Sequence, residues 1–101
     1  MSIRKEETAR ELVLYITGEI DHHNTLTLRV LMDEEIAKSE KKEVVVDLAG
    51  CDFCDSSALG LILGRARVCA ERGAELSLRS PSVRVRKILD LCGAQKYMKF
   101  I

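Results

Sequence analysis

Three consecutive residues, Asp55-Ser56-Ser57, stand between a stretch with the makings of a buried strand, Val44-Val45-Val46-Asp47-Leu48, and one with helical periodicity from Ala58 to Glu71. A hydroxyl at such a junction is chemically addressable. Ser and Asp at a helix start satisfy free backbone N–H groups, and the partial positive charge of that terminus favours an anion such as a phosphoryl group. The site Asp55-Ser56-Ser57 is therefore read as a phosphorylatable switch. The same tripeptide is also an ordinary capping sequence, and by itself it does not separate the two roles.

Two further groups carry reactive side chains: Asp21-His22-His23, and the C-x-x-C pair Cys51 and Cys54. Ser, His and Asp together suggest nucleophilic hydrolysis. The chain nevertheless has no G-x-S-x-G elbow, no glycine-rich phosphate loop and no metal-binding triad, so no enzymatic activity is expected. A redox C-x-x-C places its first Cys at a helix N-terminus to lower the thiol pKa, whereas Asp52 and Asp55 here would raise it. For zinc, His22 and His23 are the natural extra ligands, but adjacent side chains rarely face one tetrahedral centre. Cys69 falls on an apolar helix face and Cys92 precedes Gly93, so all four cysteines read as reduced packing groups. No cofactor and no metal is expected. A thiol redox or metal protein using Cys51 and Cys54 remains the alternative from another class.

What must position these groups is one small domain. The 101 residues, 47% hydrophobic and 32% charged, can bury about two thirds of their unfolded surface around a single core. Sixteen basic and sixteen acidic residues cancel, which leaves no electrostatic footprint for nucleic acid or an anionic membrane. The opening MSIRKEETAR lacks an apolar signal core, and no apolar run approaches the ~18 residues that cross a bilayer. A cytoplasmic protein is expected.

Ile3 to Thr8 and Leu12 to Thr17 predict two strands in an antiparallel hairpin, followed after Gly18 by a short loop. Leu28, Leu31, Met32 and Ile36 predict an amphipathic helix from about Asn24 to Lys38, capped by Asn24 or Thr25. Val44 to Leu48 is the central strand, Ser57 to Arg72 a second helix closed by Gly73, and Leu76 to Arg79 a further strand. Ser80-Pro81 opens a third helix with Val85, Ile88, Leu89 and Leu91, and Met98 to Ile101 ends the chain as a short strand. Strands alternating with helices after a hairpin imply an α/β fold with a mixed, mostly parallel sheet of four to five strands. The loops after the second and third strands then share its carboxyl edge, where open α/β folds place their sites. Asp21-His22-His23 should therefore lie beside Asp55-Ser56-Ser57.

On the second helix, with side chains turning about 100° per residue, Leu59, Ile62, Leu63, Ala66, Cys69 and Ala70 form the stripe expected to lie on the sheet. Leu61, Val68, Arg65 and Arg72 then face away, and Gly60 and Gly64 leave a flank without side chains. Either neighbouring helices cover these groups, or they form a partner-binding surface adjoining Ser56.

The wording around both motifs, TGEIDHH at Thr17 to His23 and DFCDSSALGLILGR at Asp52 to Arg65, resembles the anti-sigma factor antagonists of the STAS domain family, in particular their sporulation sigma-F branch. That resemblance implies a single STAS domain over residues 1–101 and a role in transcription regulation by partner switching. An anti-sigma factor with serine kinase activity would bind the unphosphorylated chain, release its sigma factor, and end the contact by phosphorylating Ser56, which a serine phosphatase would reverse. Asp21, His22, His23, Asp55, Ser56, Ser57, Leu59, Gly60, Leu61 and Arg65 would make the contact surface. Two departures stand out: Ala58 where the family has Gly, and an end at Ile101 where members continue into a last helix. A monomer or weak homodimer is expected. A STAS module of another stress-signalling or transport system is the alternative within binding proteins.

Overall fold

The computed structural model describes all residues, Met1 to Ile101. Its elements run β1 (Ser2–Glu7), β2 (Glu11–Ile20), α1 (Thr25–Lys38), β3 (Glu43–Asp47), β4 (Cys51–Cys54), α2 (Ser57–Glu71), β5 (Glu75–Arg79), α3 (Val83–Leu91) and β6 (Lys99–Phe100), with a single 3-10 turn at Ala94–Lys96. The sheet follows the order β1-β2-β3-β5-β6, and β4 pairs with β2 off that path. Only the β1–β2 pairing is antiparallel; the pairings of β2 with β3, β3 with β5, β5 with β6 and β2 with β4 are parallel.

The sheet thus has six strands, one more than the upper expectation, because Cys51–Cys54 forms β4. That strand exists through β2, which runs on to Ile20 instead of ending at Thr17. Gly18 has φ +97, a left-handed conformation that suits glycine, and the register shifts between Gly18 and Glu19. The bulge lets one strand serve two partners. Glu11 to Tyr15 pair with β3, and Gly18 to Ile20 pair with β4.

Val44, Val45 and Val46 in β3 are 0 to 2% exposed, which suits a strand in the middle of a parallel sheet. Leu28, Met32 and Ile36 of α1, spaced by four, are wholly buried. They join the strands, α2 and α3 in one apolar cluster of 23 residues. Cap details differ from expectation. α3 begins at Val83, with Ser82 Oγ accepting the N–H of Val85 at 3.1 Å, and Pro81 precedes the cap. Of the apolar residues that α3 contains, Val85 and Leu89 are buried, whereas Leu91 is 76% exposed.

The largest departure concerns α2. Its buried residues are Ala58, Leu61, Ile62, Arg65 and Cys69, while Leu59, Leu63 and Ala66 are half-buried and Ala70 is exposed. Leu61 and Arg65 therefore do not face outward. α1 lies alongside α2, so the second helix is covered over a broader arc than the sheet alone would cover. A single-helix projection cannot register that neighbour.

Candidate functional site

Two loops meet at the carboxyl end of the β2–β4 pair, and hydrogen bonds join them. The N–H of Asp55 donates to Ile20 O at 3.1 Å, and the N–H of His22 donates to Asp55 Oδ2 at 3.2 Å. His22 Nδ1 lies 3.5 Å from the same oxygen. The structure therefore brings Asp21-His22-His23 beside Asp55-Ser56-Ser57, with the second motif following β4 rather than the central strand. β4 is what carries it there.

Asp21 organises the first loop. Its Oδ1 accepts the N–H groups of His23 at 2.9 Å and Asn24 at 3.1 Å. Asn24, expected to cap α1, bonds backward instead: its Oδ1 accepts the N–H of Asp21 at 3.0 Å and its Nδ2 donates to Glu19 O at 2.7 Å. The first turn of α1 has no side-chain cap, and the Asn24 side chain rigidifies the loop. His22 and His23 are exposed, with ring centroids 3.9 Å apart.

Asp55 organises the second loop. Its Oδ1 accepts the N–H of Ser57 at 2.9 Å and the Ser57 hydroxyl as well. The Ser57 hydroxyl first, then the backbone N–H groups of Ser57 and His22, hold the Asp55 carboxyl below the usual carboxylate range. Ser56 occupies the N-cap position of α2, is exposed, and makes no side-chain capping bond. Asp55 and Ser57 stabilise the helix start, and the Ser56 hydroxyl takes no part in capping it. Ala58 is 1% exposed and belongs to the core, so its methyl points inward and does not crowd Ser56.

The remaining expected contact residues divide. Gly60 is exposed and Leu59 is half-buried, whereas Leu61 at 5% and Arg65 at 6% exposure are buried. Leu61 packs in the core, and Arg65 Nε lies 2.7 Å from Asp33 Oδ1 on α1. As outward anchors both expectations fail. Between the helices runs a groove of about 400 Å³ whose walls include Thr25 and Arg29 of α1 and Ser57, Gly60, Gly64 and Arg65 of α2. Thr25 and Arg29 did not stand out as site residues. Their four-residue spacing, continued by Asp33 and matched by Gly60 and Gly64, is the signal that marks two facing stripes.

Cys51 and Cys54 are each 1% exposed. Burial raises both thiols, Cys54 to about 11, and the Cys51 S–H donates to Phe53 O at 3.4 Å. Groups held in the thiol form are poor nucleophiles and poor metal ligands. Burial, more than the acidic neighbours, is the main cause.

Fold and site together define a small α/β domain that presents a serine hydroxyl at a strand-to-helix junction. The STAS domain model matches residues 2–101, and the chain belongs to that family. A curated relative, the anti-sigma F factor antagonist of Paenibacillus polymyxa, is 34% identical over 98 residues, covering 97% of this chain and 84% of the relative. Among solved structures, the anti-sigma factor antagonist SpoIIAA in its unphosphorylated form superposes with a TM-score of 0.80 at 28% identity, covering 99% of this chain and 88% of the other. The Bacillus cell fate determinant SpoIIAA in its phosphorylated form gives 0.69 at 27% identity, covering 99% and 91%.

Proposed function

We propose that this chain is an anti-sigma factor antagonist whose partner choice is switched by phosphorylation of Ser56. The observation that carries the reading is the free, exposed Ser56 hydroxyl on a helix start already satisfied by Asp55 and Ser57. Relatives named as antagonists of anti-sigma F factor, and a structural neighbour known in unphosphorylated and phosphorylated forms, support it. In the unmodified state the loop pair and the adjoining α2 surface dock an anti-sigma factor with serine kinase activity, which lets go of its sigma factor. Phosphate on Ser56 adds about −1.5 to −2 charges beside Asp55 and Asp21, and the α2 N-terminus stabilises that charge within the chain. The repulsion therefore falls on the complex, and a serine phosphatase restores docking. No helix is long and apolar enough to cross a membrane. A cytoplasmic site of action, beside the kinase, is part of the proposed reading.

The test is incubation with serine-kinase anti-sigma factors and ATP, followed by mass mapping of the phosphate. Ser56→Ala is expected to abolish incorporation and keep docking, while Ser56→Asp weakens docking. Undiminished phosphorylation of the alanine variant would overturn the assignment.

A further inference from the structure

The groove between α1 and α2 is lined by two cations, Arg29 and Arg65, and by no carboxylate. Arg65 is 6% exposed, and its Nε sits 2.7 Å from Asp33 Oδ1. Asp33 offsets the charge of this buried guanidinium, and the pair borders an open groove.

Besides Leu26 and Leu61, the lining is polar and cationic, which favours an oxyanion. Arg29 on the α1 wall is exposed and close enough to oppose the charge of Arg65, while Asp33 is the carboxylate that offsets it. Two cations sharing one carboxylate leave a surplus positive charge. Thr25 adds a hydroxyl donor to the lining. At Gly60 and Gly64 an added Cβ would meet nothing within 4 Å, so the α2 wall leaves room for a side chain arriving from outside.

We propose that this groove receives an Asp or Glu side chain of the protein that docks at Ser56, with Arg29 and Arg65 as its cationic partners. The proposal rests on the docking function given above. A planar carboxylate matches the guanidinium fork, and charge complementarity favours it over any neutral or basic occupant. Ser57 both lines the groove and follows Ser56, so phosphate on Ser56 puts negative charge beside the entrance. The modification then repels the same carboxylate that the groove attracts.

Succinate and inorganic phosphate are the free probes, read on the side-chain proton–nitrogen signals of Arg29 and Arg65; docking of an anti-sigma factor is read by calorimetry. Succinate is expected to shift both arginines saturably, and bound anti-sigma factor to abolish that response. Arg29→Ala removes an exposed residue and should leave thermal unfolding unchanged while weakening docking about tenfold or more. Gly64→Gln fills the groove without altering either cation and should weaken docking similarly. Docking of both variants at wild-type strength overturns the groove. Phosphate binding that docking does not displace assigns the groove to a free anion and also overturns the proposal. A wild-type chain that binds succinate at Arg29 and Arg65 yet docks no anti-sigma factor sinks the functional reading and, with it, the protein carboxylate as occupant. The two failures are thereby told apart.

Discussion

The Asp55 carboxylate accepts the backbone N–H of His22 at 3.2 Å, across 33 residues of sequence. With the bond from Asp55 N–H to Ile20 O, it ties the end of β2 to the start of α2. Ser56, the proposed phosphoacceptor, therefore stands on a hydrogen-bonded junction and not on a loose loop.

That junction has a pH signature. The Ser57 hydroxyl, and then the backbone N–H groups, hold the Asp55 carboxyl low. A carboxyl with a lower pKa folded than unfolded contributes stability above its unfolded value, about 3.9, and loses that contribution as pH falls through the folded value. Asp55→Asn should cost stability at neutral pH, and the gap to wild type should close as pH falls from about 5 toward 2. Thermal unfolding of both proteins across that range measures it; a constant gap would refute the electrostatic account.

The two serines of the motif should separate in stability. Ser56 makes no capping bond, so Ser56→Ala should stay within about 0.5 kcal/mol of wild type, unlike a typical N-cap truncation. Ser57 donates to Asp55, and Ser57→Ala should cost about 0.5–1.5 kcal/mol. Urea unfolding of the pair decides; equal costs would mean that Ser56 does cap the helix.

Burial of α2 against α1 makes a contrast between neighbouring positions. Leu61, at 5% exposure in the core, should cost about 2–5 kcal/mol on change to Ala. Gly64 has open space at its Cβ position, so Gly64→Ala should stabilise by about 0.4–1 kcal/mol by restricting the unfolded chain. A harmless Leu61→Ala in denaturant unfolding would return that side chain to the surface.

Thiol reactivity should rank by burial. Cys92 is partly exposed, whereas Cys51, Cys54 and Cys69 are buried, and burial raises all three, Cys54 to about 11. At neutral pH a thiol reagent should modify Cys92 well ahead of the other three, which should react at the rate of unfolding. Fast, paired reaction of Cys51 and Cys54 would revive a redox role.

Much was legible in the chain itself because its signals are local. Val44 to Leu48 reads as a buried strand, Leu28, Met32 and Ile36 repeat by four, and Asp55-Ser56-Ser57 interrupts a periodic pattern where a helix begins. From the alternation of these segments follows a parallel sheet that brings the two loops to one edge. Three things were decided only by tertiary structure. β4 is a four-residue strand with Asp52 and Phe53 exposed, and it forms because the bulge at Gly18 turns β2 toward it. Asn24 has the sequence position of a cap, yet its amide is used in the loop, where its Oδ1 accepts the N–H of Asp21 and its Nδ2 donates to Glu19 O. Arg65 and Leu61 fall on the polar side of a lone helix and are buried only because α1 arrives alongside. Periodicity reports one face of one element; which other faces are covered depends on neighbours remote in sequence, and no local pattern encodes them.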